Sequence, residues 1–148
     1  MVQSISRQIE IASSPEHVRE VFLDFGRMSE YTQGFIKSIT PAEQKPAKQI
    51  TKGDKLKVVL EGVTFSPSVL ENTERQFMWR GTIPALLCGD HYFRFEPSKT
   101  TPGGTTFTQG EDFSGVLSFL MGMSMGQKSE QGFGGFNEDL KKRVESLK

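Results

Sequence analysis

Few residues of this 148-residue chain are of types that do chemistry in a protected site, and most of those few fall in two short stretches. In DHYFRFEP, the period-two alternation of a strand places His91, Phe93 and Phe95 on one face and Tyr92, Arg94 and Glu96 on the other. In TTFTQGEDF the same alternation groups Phe107, Gln109, Glu111 and Phe113. An imidazole and a carboxylate among aromatic rings are the groups that general acid/base chemistry uses, because burial and close neighbours tune such groups for proton transfer. The same types more often satisfy a buried hydrogen-bond network. His91 and Glu111 are therefore candidate acid/base residues, and together with Gln109 they are candidate polar contacts for a bound molecule. In RQFMWRG, Phe77, Trp79 and Gly81 align, which adds Trp79 to the same face.

Other chemistries find no support. Two histidines and one cysteine, with no ligand spacing among them, give no metal site. GFGGF sits inside a helical pattern rather than between a strand and a helix, so it is no phosphate cradle, and no cofactor is implied. Lys+Arg and Asp+Glu balance at 18 each without a basic run, which argues against nucleic acid as a partner. Cys88 follows Leu86 and Leu87, with nothing beside it to activate a thiolate. A lone cysteine forms no internal disulfide, and MVQSISRQIEIASS lacks the pattern of a secretory signal, so a reducing cytoplasmic setting is expected. No stretch reaches the ~20 apolar residues of a transmembrane helix.

The elements that must position these residues are legible in outline. SISRQIEIA alternates and reads as a first strand. In SSPEHVREVFLDFGRM, Ser14 can cap a helix, Pro15 suits its first position and Glu16 its positive end, with Val18, Val21, Phe22 and Phe25 spaced as one face up to Gly26. A second short helix is expected around MSEYTQG. Six strands follow: FIKSIT, DKLKVVLEG, TFSPSVLENT, RQFMWRGTI, DHYFRFEP and TTFTQGEDF. PAEQKPAKQITKGD reads as an exposed loop and PSKTTPGGT as a hairpin turn. No proline interrupts 114–148, which predicts one long C-terminal helix. There Phe133, Phe136, Leu140, Val144 and Leu147 fall within an arc of about 80°. The first half of that helix, GVLSFLMGMSMG, spreads its apolar residues around most of the circle. It is expected to turn one side to the sheet and Met121 and Met125 toward an interior cavity.

The order strand, two short helices, six strands and a long helix describes an α+β domain, a single unit over 1–148. Five pieces of the chain, in this order and spacing, resemble the SRPBCC or START-like (Bet v 1-like, helix-grip) superfamily, and within it the polyketide cyclase/dehydrase-like group. They are IEIASSPEHVREVFLDF near the start, FMWRG at Phe77 to Gly81, GDHYFRFEP at Gly89 to Pro97, TTFTQGEDFSGVL at Thr105 to Leu117, and GFGGFNEDLKKRVE at the end. The resemblance implies a curved seven-stranded antiparallel sheet wrapped around the C-terminal helix, with a deep apolar pocket between them.

On that basis the expected ligand-binding residues are Trp79, His91, Phe93, Phe107, Gln109, Phe113, Met121 and Met125. The expected function is binding of a small hydrophobic or amphipathic molecule, lipid-, polyketide- or isoprenoid-like. One alternative is a cyclase or dehydratase that uses His91 and Glu111 as acid and base, and another is a protein-interaction module. A monomer or homodimer is expected.

Overall fold

The structure, a computed structural model, describes residues 3–119 and 124–147, with side chains described for all of these but 124 and 125. Strand β1 (Gln3–Ile11) leads into helix α1 (Pro15–Leu23). Ser14 caps α1 by accepting a hydrogen bond from the His17 amide, with Pro15 in the first turn, as its sequence predicts. The helix stops at Leu23, and Phe25–Glu30 continues as a 3-10 turn, so Phe25 belongs to that second short element.

Strands β2 (Ile36–Pro41), β3 (Leu56–Leu60), β4 (Val63–Phe65), β5 (Ser68–Asn72), β6 (Gln76–Ile83), β7 (Leu87–Pro97) and β8 (Thr105–Ser114) follow, and helix α2 (Ser124–Ser146) closes the order. All pairings are antiparallel, in the orders β1-β8-β7-β6-β5 and β2-β3-β4. The stretch expected as one strand, TFSPSVLENT, is two. Pro67 has no N–H to give to a ladder and separates β4 from β5. The two sheets still touch through the bridge of Lys55 to Ser68 and the bond from the Leu56 amide to the Pro67 carbonyl. Counted across that break, β4 and β5 form one bent strand of a seven-membered curved sheet. The polar loop before β3 contains one short 3-10 turn, Ala47–Gln49.

Helix α2 is long, but it starts later than the proline-free stretch implies. Gly115 has φ +103°, the left-handed region, and a Cβ built there would stand 2.6 Å from the Leu86 carbonyl oxygen. No helix propagates through such a residue. Instead the Leu117 amide donates to the Leu86 carbonyl and the Ser118 amide to that of Gly115, folding 115–119 into a turn against the β6–β7 hairpin. Val116 and Phe119 are exposed on that turn, next to exposed Leu86 and Ile83 on the hairpin. Further along, Phe133, Phe136, Leu140 and Val144 are buried as their arc requires, whereas Leu147 lies past the helix end and is exposed.

The core lies between the concave face of the sheet and the two helices. Phe22 of α1 sits at its centre, with ring centroids 4.5 Å from Phe93, 5.7 Å from Phe77 and Phe95, and 6.2 Å from Phe136. Among the described residues no helix is long and apolar enough to cross a membrane.

Candidate functional site

The inner face of the sheet is set by register. Trp79 pairs with His91, His91 with Glu111, Phe93 with Gln109 and Gly89 with Phe113. Because side chains alternate, these residues line one continuous inward surface, and burial follows: Phe77, Trp79, His91, Phe93, Phe95, Phe107, Gln109 and Phe113 are all buried. The buried face of these strands is the one the alternation marks as inward, with Glu111 partly exposed at its edge.

Within that surface the residues divide by chemistry. Toward the end carrying α1, Phe93, Phe95 and Phe107 pack on one another and on Phe22, with no exposed surface. Toward the other end, where β7 begins and β8 finishes, polar groups enter. His91 Nδ1 lies 3.1 Å from Glu111 Oε1, and His91 Nε2 lies 2.8 Å from Gln109 Oε1. Gln109 Nε2 donates to Asn137 Oδ1 at 3.0 Å and to the Phe133 carbonyl at 3.4 Å. Asn137 Nδ2 donates to the Arg7 carbonyl at 3.0 Å. A single hydrogen-bonded chain thus runs from β1 through α2 to β8, β7 and back to Glu111.

Aromatic rings enclose the imidazole. Trp79, Phe93 and Phe133 have centroids 4.9, 4.8 and 4.9 Å from it. A polar group in such surroundings costs heavily unless bonded, and here both ring nitrogens are. Glu111 differs from its partners. Its side chain retains 18% of its surface, against 3% for His91, so the chain reaches solvent at this carboxylate. Gly89 makes this possible, because a Cβ built there would stand 2.3 Å from Glu111 Oε2 and 3.4 Å from Phe113 Cε1.

Asn137 and Gly89 join this group without having been singled out in the sequence, and Phe133, read there only as part of the apolar arc of α2, walls it. Asn137 carried a readable signal: it lies beside the apolar arc of α2, four residues after Phe133 and three before Leu140, where a polar side chain must be matched from the sheet. Met121 lies outside the described residues, as does the side chain of Met125. Cys88 is a free, half-buried thiol near Asp90. His17 is half-buried and bonded to Ser13 Oγ at 2.8 Å, a contact local to the start of α1. No group of three metal-ligating side chains occurs among the described residues.

Comparison with known proteins agrees with this architecture. The family described as polyketide cyclase / dehydrase and lipid transport matches residues 2–145. Among curated proteins none matches the sequence. Solved structures share the fold at low identity. The hypothetical protein jhp0584 from Helicobacter pylori has TM-score 0.76 at 15% identity, covering 96% of this chain and 88% of that one. The Zhui aromatase/cyclase from a Streptomyces species has TM-score 0.70 at 13% identity, covering 98% and 94%. A START superfamily protein from Mycobacterium smegmatis has TM-score 0.67 at 17% identity, covering 98% and 99%.

Proposed function

Since the chain belongs to the polyketide cyclase/dehydrase and lipid transport family, we propose that it binds a small hydrophobic or amphipathic molecule between the sheet and α2. The molecule's polar end would meet Glu111 and His91, and its apolar body the rings of Trp79, Phe113 and Phe133. One observation carries this reading: an otherwise buried polar chain ends at a carboxylate that keeps 18% of its surface, among aromatic side chains. Affinity would come from burial of apolar area, at roughly 25 cal/mol per Å² before ordering costs. Met121 and Met125 complete the lining in this reading, and a cytoplasmic monomer or homodimer remains the expected setting.

A second reading is favoured by the close approach of His91 Nδ1 to Glu111 Oε1, 3.1 Å apart. Such a pair can hand a proton to a bound carbonyl compound and take it back, as a cyclase or dehydratase requires. The Zhui aromatase/cyclase has this fold, which makes the chemistry compatible with the scaffold but does not assign it.

Native mass spectrometry of the protein purified from its own host without detergent tests the first reading. A defined apolar adduct released on denaturation is expected. A clean mass, with no adduct formed on incubation with fatty alcohols or aromatic polyketides, would overturn it. In His91→Ala, weakened binding accords with a carrier, while retained affinity with loss of turnover would identify an enzyme.

A further inference from the structure

We infer that the site takes molecules that present a hydroxyl group, alcoholic or phenolic, and discriminates against those that present an ether, a carbonyl or a carboxylate in its place. This rests on the reading of the site as a ligand pocket, and it follows from tracing hydrogens along the buried chain. The Arg7 carbonyl only accepts, so the Asn137 atom beside it is Nδ2, and Oδ1 faces Gln109. Gln109 must then turn Nε2 toward Asn137 and Oε1 toward His91. An amide oxygen also only accepts, so His91 Nε2 carries a hydrogen whether the imidazole is neutral or cationic. At near-neutral pH one proton at most is left for the gap between Nδ1 and Glu111 Oε1. If it lies on Nδ1, an imidazolium faces a carboxylate, and if it lies on Oε1, a neutral acid donates to a neutral imidazole. In either arrangement the second oxygen, Oε2, bears no hydrogen and offers lone pairs alone.

Oε2 is also the atom at which a ligand can arrive. No described residue donates to it. The Glu111 side chain keeps 18% of its surface, so solvent reaches this carboxylate while Oε1 is turned to His91. Oε2 lies against Gly89, whose lack of a side chain gives the carboxylate its place, and the Phe113 ring approaches the same point. A ligand group here must therefore donate. A carbonyl or ether oxygen would set lone pair against lone pair. The His91–Glu111 pair is neutral overall in both arrangements, so an ammonium would leave an uncompensated positive charge against aromatic rings. A hydroxyl meets both conditions.

Isothermal titration of the purified protein near neutral pH with 2-naphthol, 2-methoxynaphthalene and 2-acetylnaphthalene tests this, since the three share one ring system. We expect 2-naphthol to bind about tenfold or more tightly than either analogue, as hydrogen bonds to carboxylates allow. Glu111→Gln should keep the preference, because its amide N–H then donates to Nδ1 and its amide oxygen takes the place of Oε2. Glu111→Leu should bring 2-naphthol and its methyl ether to within about twofold of one another. Should Glu111→Leu fail to fold, the wild-type and Glu111→Gln titrations decide. Equal affinities in the wild type, or a preference that survives in Glu111→Leu, would overturn the inference and leave the pocket standing. Failure of all three probes to bind would overturn the pocket reading, and this inference with it.

Discussion

Tyr31 and Gln109 are both buried polar side chains, and the structure treats them oppositely. Gln109 has its amide nitrogen and oxygen engaged, whereas the Tyr31 hydroxyl is buried with no partner among the described residues. An unmet buried donor costs about 1–3 kcal/mol, so Tyr31→Phe should leave the protein as stable or raise its stability by about 1 kcal/mol in urea denaturation near neutral pH. Burial also holds the Tyr31 hydroxyl pKa well above its ordinary value of 10.0, with the carboxylates of Asp24 and Asp139 adding to the rise and the Arg143 guanidinium opposing it. The sign of the pH effect follows. The folded state disfavours the tyrosinate, so the contribution is intact below pH 10 and is lost as pH climbs above it. Thermal melts should show a midpoint that falls above that pH and a shallower fall in Tyr31→Phe. Tyr92, whose pKa is also raised by burial, adds to the slope in both proteins. An equal slope in both proteins would show that Tyr31 does not contribute.

Glycines that look alike in sequence separate at the level of the element. Gly132 of α2 faces Phe35, and a Cβ there would stand 2.7 Å from Phe35 Cγ. That ring packs edge-on against Phe133 with centroids 5.6 Å apart, so moving it disturbs a residue that walls the site. Gly134 faces the flexible guanidinium of Arg7, and Gly135 faces open space. Gly135→Ala should therefore stabilise the protein by about 0.5–1 kcal/mol through helix propensity alone. Gly132→Ala should destabilise by about 1–3 kcal/mol through overpacking, although the sequence change is the same. Chemical denaturation of the two variants side by side checks the contrast, and similar shifts in both would contradict the packing described for Phe35.

At the scale of the whole molecule, α1 closes one end of the space between sheet and α2, and the polar chain occupies the other. Phe22 joins the parts, touching rings from α1's own continuation, β6, β7 and α2. Phe22→Ala should cost about 3–5 kcal/mol, a large share of the stability of a domain this size. Because Phe22 meets the His91–Glu111 pair through the Phe93 ring, ligand affinity in the folded fraction should change far less than stability does. A thermal midpoint set beside a titration of the same variant tests this, and a parallel loss of both would mean that the two ends are not separate.

What the sequence by itself determined was local. Strand alternation put Trp79, His91, Gln109 and Glu111 inward, because neighbouring residues of an extended chain must point to opposite faces. Ser14 and Pro15 marked the start of α1 because a helix needs its first amides satisfied. Tertiary structure decided whatever depends on segments distant in sequence. Register brought Glu111 opposite His91, 20 residues away, and packing brought Asn137 of α2 to Gln109, 28 residues away. Contact with Leu86 turned Gly115 out of the helix that its neighbours' propensities predict. Propensity and periodicity act over one turn or one pleat, whereas a hydrogen bond between remote segments exists only once the chain has closed around it.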